Sequence, residues 1–270
     1  MSKGPGKGWA KGRSAANDPR VANAAAGHRG LRYERRTPVR ECKWFRGSST
    51  TIPLCWSDAM AYLVGLTATD GCLVRSRPRI DFKSMDRQLV ETYLGLLGRN
   101  DRIAAVPTQT GNLVYVVQIT DRSLWNWFFS VGLTPRKSLT IGRIESPDKF
   151  LFPLARGLLD GDGSIVNGIW RADTTRRADY YWETLRTKFV SGSRKHLEWL
   201  HDRLRTALPL RGWITKKAYD GAWALLFGKS DSLQLLPRLY PTSDVPCLLR
   251  KRAIWDNYQQ RHVGNRDQRG

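Results

Sequence analysis

Asp70 and Asp162 stand 92 residues apart, and each closes an apolar, glycine-containing stretch just before a glycine: YLVGLTATDG (62–71) and LARGLLDGDG (154–163). A carboxylate at a helix C-terminus faces the negative end of the helix dipole, an unfavourable placement. Here the placement is made twice. If the two helices pack side by side the carboxylates converge, and like charges in one site are costly unless a proton or cation intervenes. A divalent, oxygen-seeking ion such as Mg2+ removes the conflict, because it accepts carboxylates, waters and phosphate oxygens together. Such an ion can also polarise a phosphodiester and activate water for in-line attack. A single Asp-Gly is an ordinary turn signal; two copies inside matched repeats of a basic chain call for more.

The elements that would position these acids repeat as well. RIDFKS (79–84) corresponds to RTKFVS (186–191), each alternating with Phe82 or Phe189 on the inner face, which is strand periodicity with one side buried. Each strand leads into a helix. Asp86 and Ser193 are placed as N-caps, and Leu89, Tyr93, Leu97 and Leu197, Leu200, Leu204 recur at helical spacing. Further strands follow at LVYVVQIT (113–120) and AWALLFGKS (222–230), and helices open at Asp121 and Asp231. Each half therefore reads helix, two strands, helix, two strands, helix. The halves join through about residues 140–152, and the second carries extra residues around 167–182, read as a longer strand-to-strand loop.

The first acid-bearing helix is expected from about Ser57 to Asp70, with Gly71 as a left-handed C′ residue. The second is expected from Pro153, a favoured first-turn residue, to Asp162. Gly65, Ala68, Gly157 and Gly161 keep these helices thin, so their backbones can approach closely. A helical glycine costs about 1 kcal/mol against alanine, so its use in both copies points to close packing.

Charge sets the partner class. The chain of 270 residues holds 45 Lys+Arg against 24 Asp+Glu, a formal net charge of +21. Such a surplus attracts polyanions, nucleic acid above all. Residues 1–50 contribute 12 Lys/Arg against three acids with little apolar periodicity, and read as a basic, loosely ordered extension that buries little. No apolar run approaches the roughly 18–20 residues that span a bilayer, and MSKGPGKGWAKGR lacks the apolar segment of a secretion signal. The expected location is cytoplasm or an organellar matrix. Cys42, Cys55, Cys72 and Cys247 form no CxxC pair and read as reduced and mostly buried. His28, His196, His201 and His262 show no paired-ligand spacing.

With these residues in view, LVGLTATDG (63–71) and ARGLLDGDG (155–163) resemble the two namesake motifs of LAGLIDADG homing endonucleases, in the two-motif, single-chain form. The likeness extends over about residues 54–260 and includes GLTPRKS (132–138), similar to the family's basic segment. The resemblance implies an α+β fold of two pseudo-symmetric αββαββα halves, 54–145 and 150–262, forming a saddle over DNA with the motif helices at the centre. It implies cleavage of both strands of a long, partly palindromic site by a monomer using Mg2+ or Mn2+. By position, Asp70 and Asp162 match the metal-binding acids, and the carbonyls of Thr69 and Gly161 match auxiliary ligands. Lys137 matches the basic residue near the scissile phosphates. CLLRKR (247–252) is its counterpart, with Lys251 preferred to Arg250. Ala68 departs from the motif, which has an acid there, whereas Asp160 keeps it.

Outward strand residues are the expected readers of DNA: Arg75, Arg77, Arg79, Asp81 and Lys83 in the first half, and Arg171, Arg186, Lys188, Lys216 and Lys217 in the second. Arg and Lys on a two-stranded ribbon suit guanine edges and phosphates in the major groove. Two other functions use the same scaffold, an intron-RNA-binding maturase and a non-catalytic DNA-binding regulator.

Overall fold

The computed structural model describes residues 50–171, 181–217 and 221–263, all within one compact unit, Val39–Gly270. The expected basic extension, residues 1–50, lies outside the described residues apart from Thr50.

Helix α1 (Asp58–Thr69) starts where Ser57 accepts a hydrogen bond from the Met60 amide at 3.2 Å, satisfying one of the orphan donors of the first turn. It is buried continuously from Met60 to Thr67, as befits a helix that is apolar on every side. Strands β1 (Gly71–Leu73) and β2 (Arg79–Ser84), helix α2 (Arg87–Leu97), strands β3 (Ala104–Pro107) and β4 (Leu113–Thr120), and helix α3 (Arg122–Ser130) follow. The four strands form one antiparallel sheet in the order β1-β2-β4-β3. The sequence repeats itself as α4 (Leu151–Asp162), β5 (Ser164–Arg171), β6 (Tyr181–Ser191), α5 (Arg194–Ala207), β7 (Trp213–Lys216), β8 (Trp223–Phe227) and α6 (Lys229–Leu239). Its sheet is again antiparallel, in the order β5-β6-β8-β7. A last helix, α7 (Leu249–Val263), follows. The expected α+β architecture of paired αββαββα units is present.

Each sheet buries one face. Ile80, Phe82, Val117 and Ile119 are fully buried in the first, where Phe82 stacks on Tyr93 of α2 with ring centroids 4.1 Å apart. Leu185, Phe189, Leu225 and Phe227 do the same in the second, against Leu197, Leu200 and Leu204 of α5. At roughly 2 kcal/mol per buried apolar side chain, these layers fix the sheets on their helices.

The sheets meet through α1 and α4, which pack directly on each other. A Cβ on Gly65 would lie 2.8 Å from the Cα of Gly157 and overlap the Leu154 carbonyl. A Cβ on Gly157 would lie 3.0 Å from the Cα of Gly65 and overlap the Tyr62 carbonyl. Here the lost propensity of a helical glycine is exchanged for backbone-to-backbone contact.

Several local expectations are corrected. Gly71 is not a left-handed cap but begins β1, and Gly163 after α4 has φ −83° and ψ −178°. They are glycines because a Cβ would sit 2.7 Å from backbone, on Thr67 Cα and on the Leu159 and Lys188 carbonyls respectively. Pro153 lies within the first turn of α4, which begins at Leu151; a proline there loses only an amide that has no helical partner. Asp231 does not open a helix. It sits in the first turn of α6 and accepts the Arg211 and Gly212 amides at 3.2 and 3.0 Å. The loop expected around 167–182 is strand at both its ends, since β5 runs to Arg171 and β6 starts at Tyr181. Asp86 and Ser193 hold the N-cap positions of α2 and α5, yet neither side chain makes a cap hydrogen bond. The thiol expectation fails at Cys55, which is disulfide-bonded. Cys72 is exposed and free, Cys247 is buried and free, and Cys42 lies outside the described residues.

Candidate metal centre and nucleic-acid face

Four residues beyond the Gly65–Gly157 crossing, the helices are still in contact. A Cβ on Gly161 would overlap the Thr69 side chain, so Asp70 and Asp162 follow from adjacent ends of two parallel helices. Burial raises both carboxyls, and the charge of Asp162 raises Asp70 further, to about 7. The sense of the coupling is that Asp162 ionises first and then opposes ionisation of Asp70.

Two lysines oppose this negative charge. Lys137 and Lys251 are 4% and 3% exposed, and the charge of each lowers the pKa of both aspartates. Lys137 starts a short helical turn, Lys137–Leu139, entered through Arg136 in the left-handed conformation (φ 59°), and donates to the Gly71 carbonyl. Lys251, in the first turn of α7, donates to the carbonyls of Leu159 and Asp160, both at 2.7 Å, and of Gly161 at 3.0 Å. It thereby satisfies the orphan carbonyls of the α4 terminus with a cation at the negative end of the dipole. Burial lowers both ammonium groups to about 8.

Among the described residues no group of three or more His, Cys, Asp and Glu side chains could hold a metal. A centre here would draw on Asp70, Asp162 and main-chain carbonyls. That donor set is all oxygen and suits a hard divalent ion, and desolvated like charges are what a dication relieves. The residues present therefore fit such an ion. The carbonyl of Gly161 already accepts from Lys251, although its second lone pair is left.

The sequence did not reveal the network behind α4. Asp160 is fully buried and accepts from the hydroxyls of Tyr62 and Tyr240, each at 2.9 Å, and from the Leu248 amide at 2.8 Å. Arg156, 2% exposed, donates to the carbonyls of Pro246 (2.9 Å) and Leu239 (2.8 Å). Together they fix residues 239–248 and so the entry of α7 that carries Lys251. A cation and an acid inside an otherwise apolar helix were the available signal. Arg250, next to Lys251, has a separate partner: its guanidinium makes two 2.8 Å bonds to Asp86. The link runs from the second half to the first and explains why Asp86 does not cap α2.

The outer sheet faces divide the expected DNA readers. In the first sheet Arg79, Asp81 and Lys83 alternate with buried Ile80 and Phe82, and Asp81 pairs across the sheet with Gln118. Arg79 and Asp81 bind each other at 2.7 Å, so two of the expected readers neutralise one another. Arg75 and Arg77 are exposed in the β1–β2 turn. In the second sheet Arg186 and Lys188 lie on the face opposite buried Leu185 and Phe189. Lys217 acts on Asp162, lowering its pKa. Lys216 takes the other pleat side: it pairs with Trp223, which pairs with buried Ser191, and its ammonium lies 5.8 Å from the Trp223 ring centre. Arg171 likewise shares the pleat side of buried Ile165 rather than that of Arg186. The physical cause is register: a shift of one residue along a strand carries a side chain to the other side of the sheet.

No family model matches the chain, and no curated protein matches it. Solved structures do match. The homing endonuclease I-WcaI bound to its DNA recognition sequence aligns with a TM-score of 0.51 and 11% identity, over 73% of this chain and 87% of that one. I-DmoI in complex with DNA and Ca aligns with a TM-score of 0.47 and 16% identity, over 74% and 97%. Full-length DUF199/WhiA from Thermatoga maritima gives 0.47 and 12%, over 77% and 68%. What is shared is the fold, the two-sheet α+β architecture of the LAGLIDADG homing endonucleases. No helix of the described residues is long and apolar enough to cross a membrane.

Proposed function

We propose that this chain is a divalent-metal-dependent endonuclease that cuts both strands of duplex DNA at a long, partly palindromic site. The observation that carries the reading is the convergence of Asp70 and Asp162 at the ends of two touching helices, with a buried lysine beside each. Asp70 and Asp162, with the carbonyls of Thr69 and Gly161, would hold Mg2+ or Mn2+. The ion, when bound, supplies Lewis-acid polarisation of the phosphate and a lowered pKa for water. Lys137 and Lys251 offset phosphate charge, and with pKa values near 8 each exchanges a proton close to neutral pH. Arg75, Arg77, Lys83, Arg186, Lys188 and Lys217 would contact phosphates and base edges. The halves 54–145 and 150–262 differ in these residues, which suits a target whose two ends differ.

The test is selection of cleaved sites from a randomised duplex library with Mg2+, comparing the natural chain with Asp70→Asn and Asp162→Asn. Cutting that requires both acids and the metal supports the reading. Cutting that survives both substitutions, or sequence-specific binding without cutting in any divalent metal, overturns it. The second of those results would leave the non-catalytic regulator as the better account.

A further inference from the structure

Nine of the eleven tryptophans lie among the described residues, and they fall into two groups. Trp56, Trp125, Trp127, Trp199, Trp223 and Trp255 each contact another ring or a cation. Trp170, Trp182 and Trp213 make no such contact among the described residues and are 56%, 45% and 50% exposed. An exposed, unengaged indole is unusual, since tryptophan is a large apolar group that ordinarily packs. Three together on one surface have a common cause.

They share a face. Trp170 and Trp182 are direct cross-strand partners in β5 and β6. Trp213 pairs with Leu226, which pairs with Lys188. Lys188 and Trp182 have the same parity along β6, so all three indoles lie on the pleat side away from Leu185 and Phe189. Strand β8 pairs with β6 only from Thr187 onwards, and the ribbon carrying Trp170 and Trp182 therefore runs on past the four-stranded part. The indole of Trp170 lies across Gly168, whose Cβ would come within 3.0–3.2 Å of the ring. The glycine leaves room for the ring at this position. Arg186 and Lys188 sit on the same side, between the tryptophan pair and Trp213. The corresponding face of the first sheet carries Arg79, Asp81, Lys83 and Gln118 and no tryptophan.

Flat aromatic faces spaced along a strip of positive charge are what unpaired bases on a phosphate backbone require. Duplex DNA does not offer base faces, because they are stacked on one another. We propose that the outer face of the β5-β6-β8-β7 sheet binds unpaired nucleic-acid bases, stacking them on Trp170, Trp182 and Trp213 while Arg186 and Lys188 hold the phosphates. From Lys188 to Trp182 the strand covers ~20 Å, room for several nucleotides. This binding goes beyond duplex cutting and does not depend on the aspartates.

The test uses the full chain in EDTA, so that no cleavage intervenes. Three probes of one sequence, on the order of 16 nucleotides, are compared: single-stranded RNA, single-stranded DNA and the DNA duplex. Binding of an unpaired strand is expected to quench tryptophan fluorescence. Trp170→Ala and Trp182→Ala are each expected to weaken that binding by about 5-fold to about 100-fold, with duplex affinity much less affected. A loss confined to RNA would assign the site to a ribose-bearing strand, and equal losses on both strands would assign it to the bases alone. Arg186→Ala should lower the salt slope by about 1 on every probe. Equal weakening of duplex and single strand would overturn the proposal in favour of indole contacts with thymine methyl groups in the groove. Unaltered single-strand affinity in the tryptophan variants, or no single-strand binding by the natural chain, would overturn it outright.

Discussion

The two ends of the central helix pair carry the same acid and surround it differently. At the end of α4, Lys251 is held by three carbonyls, and its helix is anchored through Leu248 to buried Asp160. At the end of α1, Ala68 stands where Asp160 would be, and Lys137 rests on one carbonyl from a short helical turn. One of the two tyrosines that serve Asp160 comes across the seam, since Tyr62 belongs to α1. The charges at the two helix ends thus match while their supports differ. One lysine is fixed by a polar network inside the protein, the other by local chain geometry.

The comparison breaks most sharply at the acids. Asp70→Asn and Asp162→Asn should each lower cutting by about 10³-fold or more while leaving duplex affinity within a few-fold, measured by gel shift and plasmid cleavage. Unequal losses between the two would mean that the ends contribute unequally even at the acid. The next largest effect is expected in stability. Asp160→Ala strands three buried donors, at about 1 kcal/mol or more each, and should lower the unfolding free energy from denaturant titration by about 3 kcal/mol in total. Ala68→Ser, at the matching position, should stay within about 0.5 kcal/mol. Similar costs at both positions would erase the asymmetry.

A kinetic readout comes third. Lys137→Ala and Lys251→Ala should each slow nicking of one strand by about 10²-fold, visible as accumulation of nicked circles from supercoiled plasmid. If both strands slow together, the lysines do not serve separate strands. The fourth test is pH. The folded carboxyl of Asp70 is raised from 3.8 to about 7, so the native state holds the extra proton between those values. Its contribution to metal-free stability is full below about pH 4 and is lost as pH rises through about 7. Mg2+ should raise the melting temperature more at pH 8 than at pH 6, and Asp70→Asn should flatten both trends. The smallest effect is expected at the bond between halves: Asp86→Ala frees exposed Arg250 and should cost about 1 kcal/mol or less.

The repeat was legible because its signals are local. β2 and β4 have the expected bounds, since alternation and the flanking Asp86 and Asp121 punctuate them. Asp121 caps α3, accepting from the Leu124 amide at 2.9 Å. The matching Asp231 misled because backbone amides from the turn before β7 had already taken its carboxylate. The acids and the lysines of the site were visible as spaced residue types. The Asp160 network was not, because its partners come from positions 62, 240 and 248 and no local pattern links them. The pleat sides of Lys216 and Arg171 were not legible, because they depend on a register that only strand pairing fixes.

The seam at Gly65 and Gly157 has a consequence for how this architecture can be broken apart. At the two glycines the contact is main chain on main chain, with no side-chain rotamers to freeze when it forms. The connection through residues 140–152 holds the halves at an effective concentration in the millimolar range. Cutting the chain there would turn a first-order event into a second-order one. The separated pieces should then reassemble only at high concentration, and their catalytic clusters would exist only while they are joined.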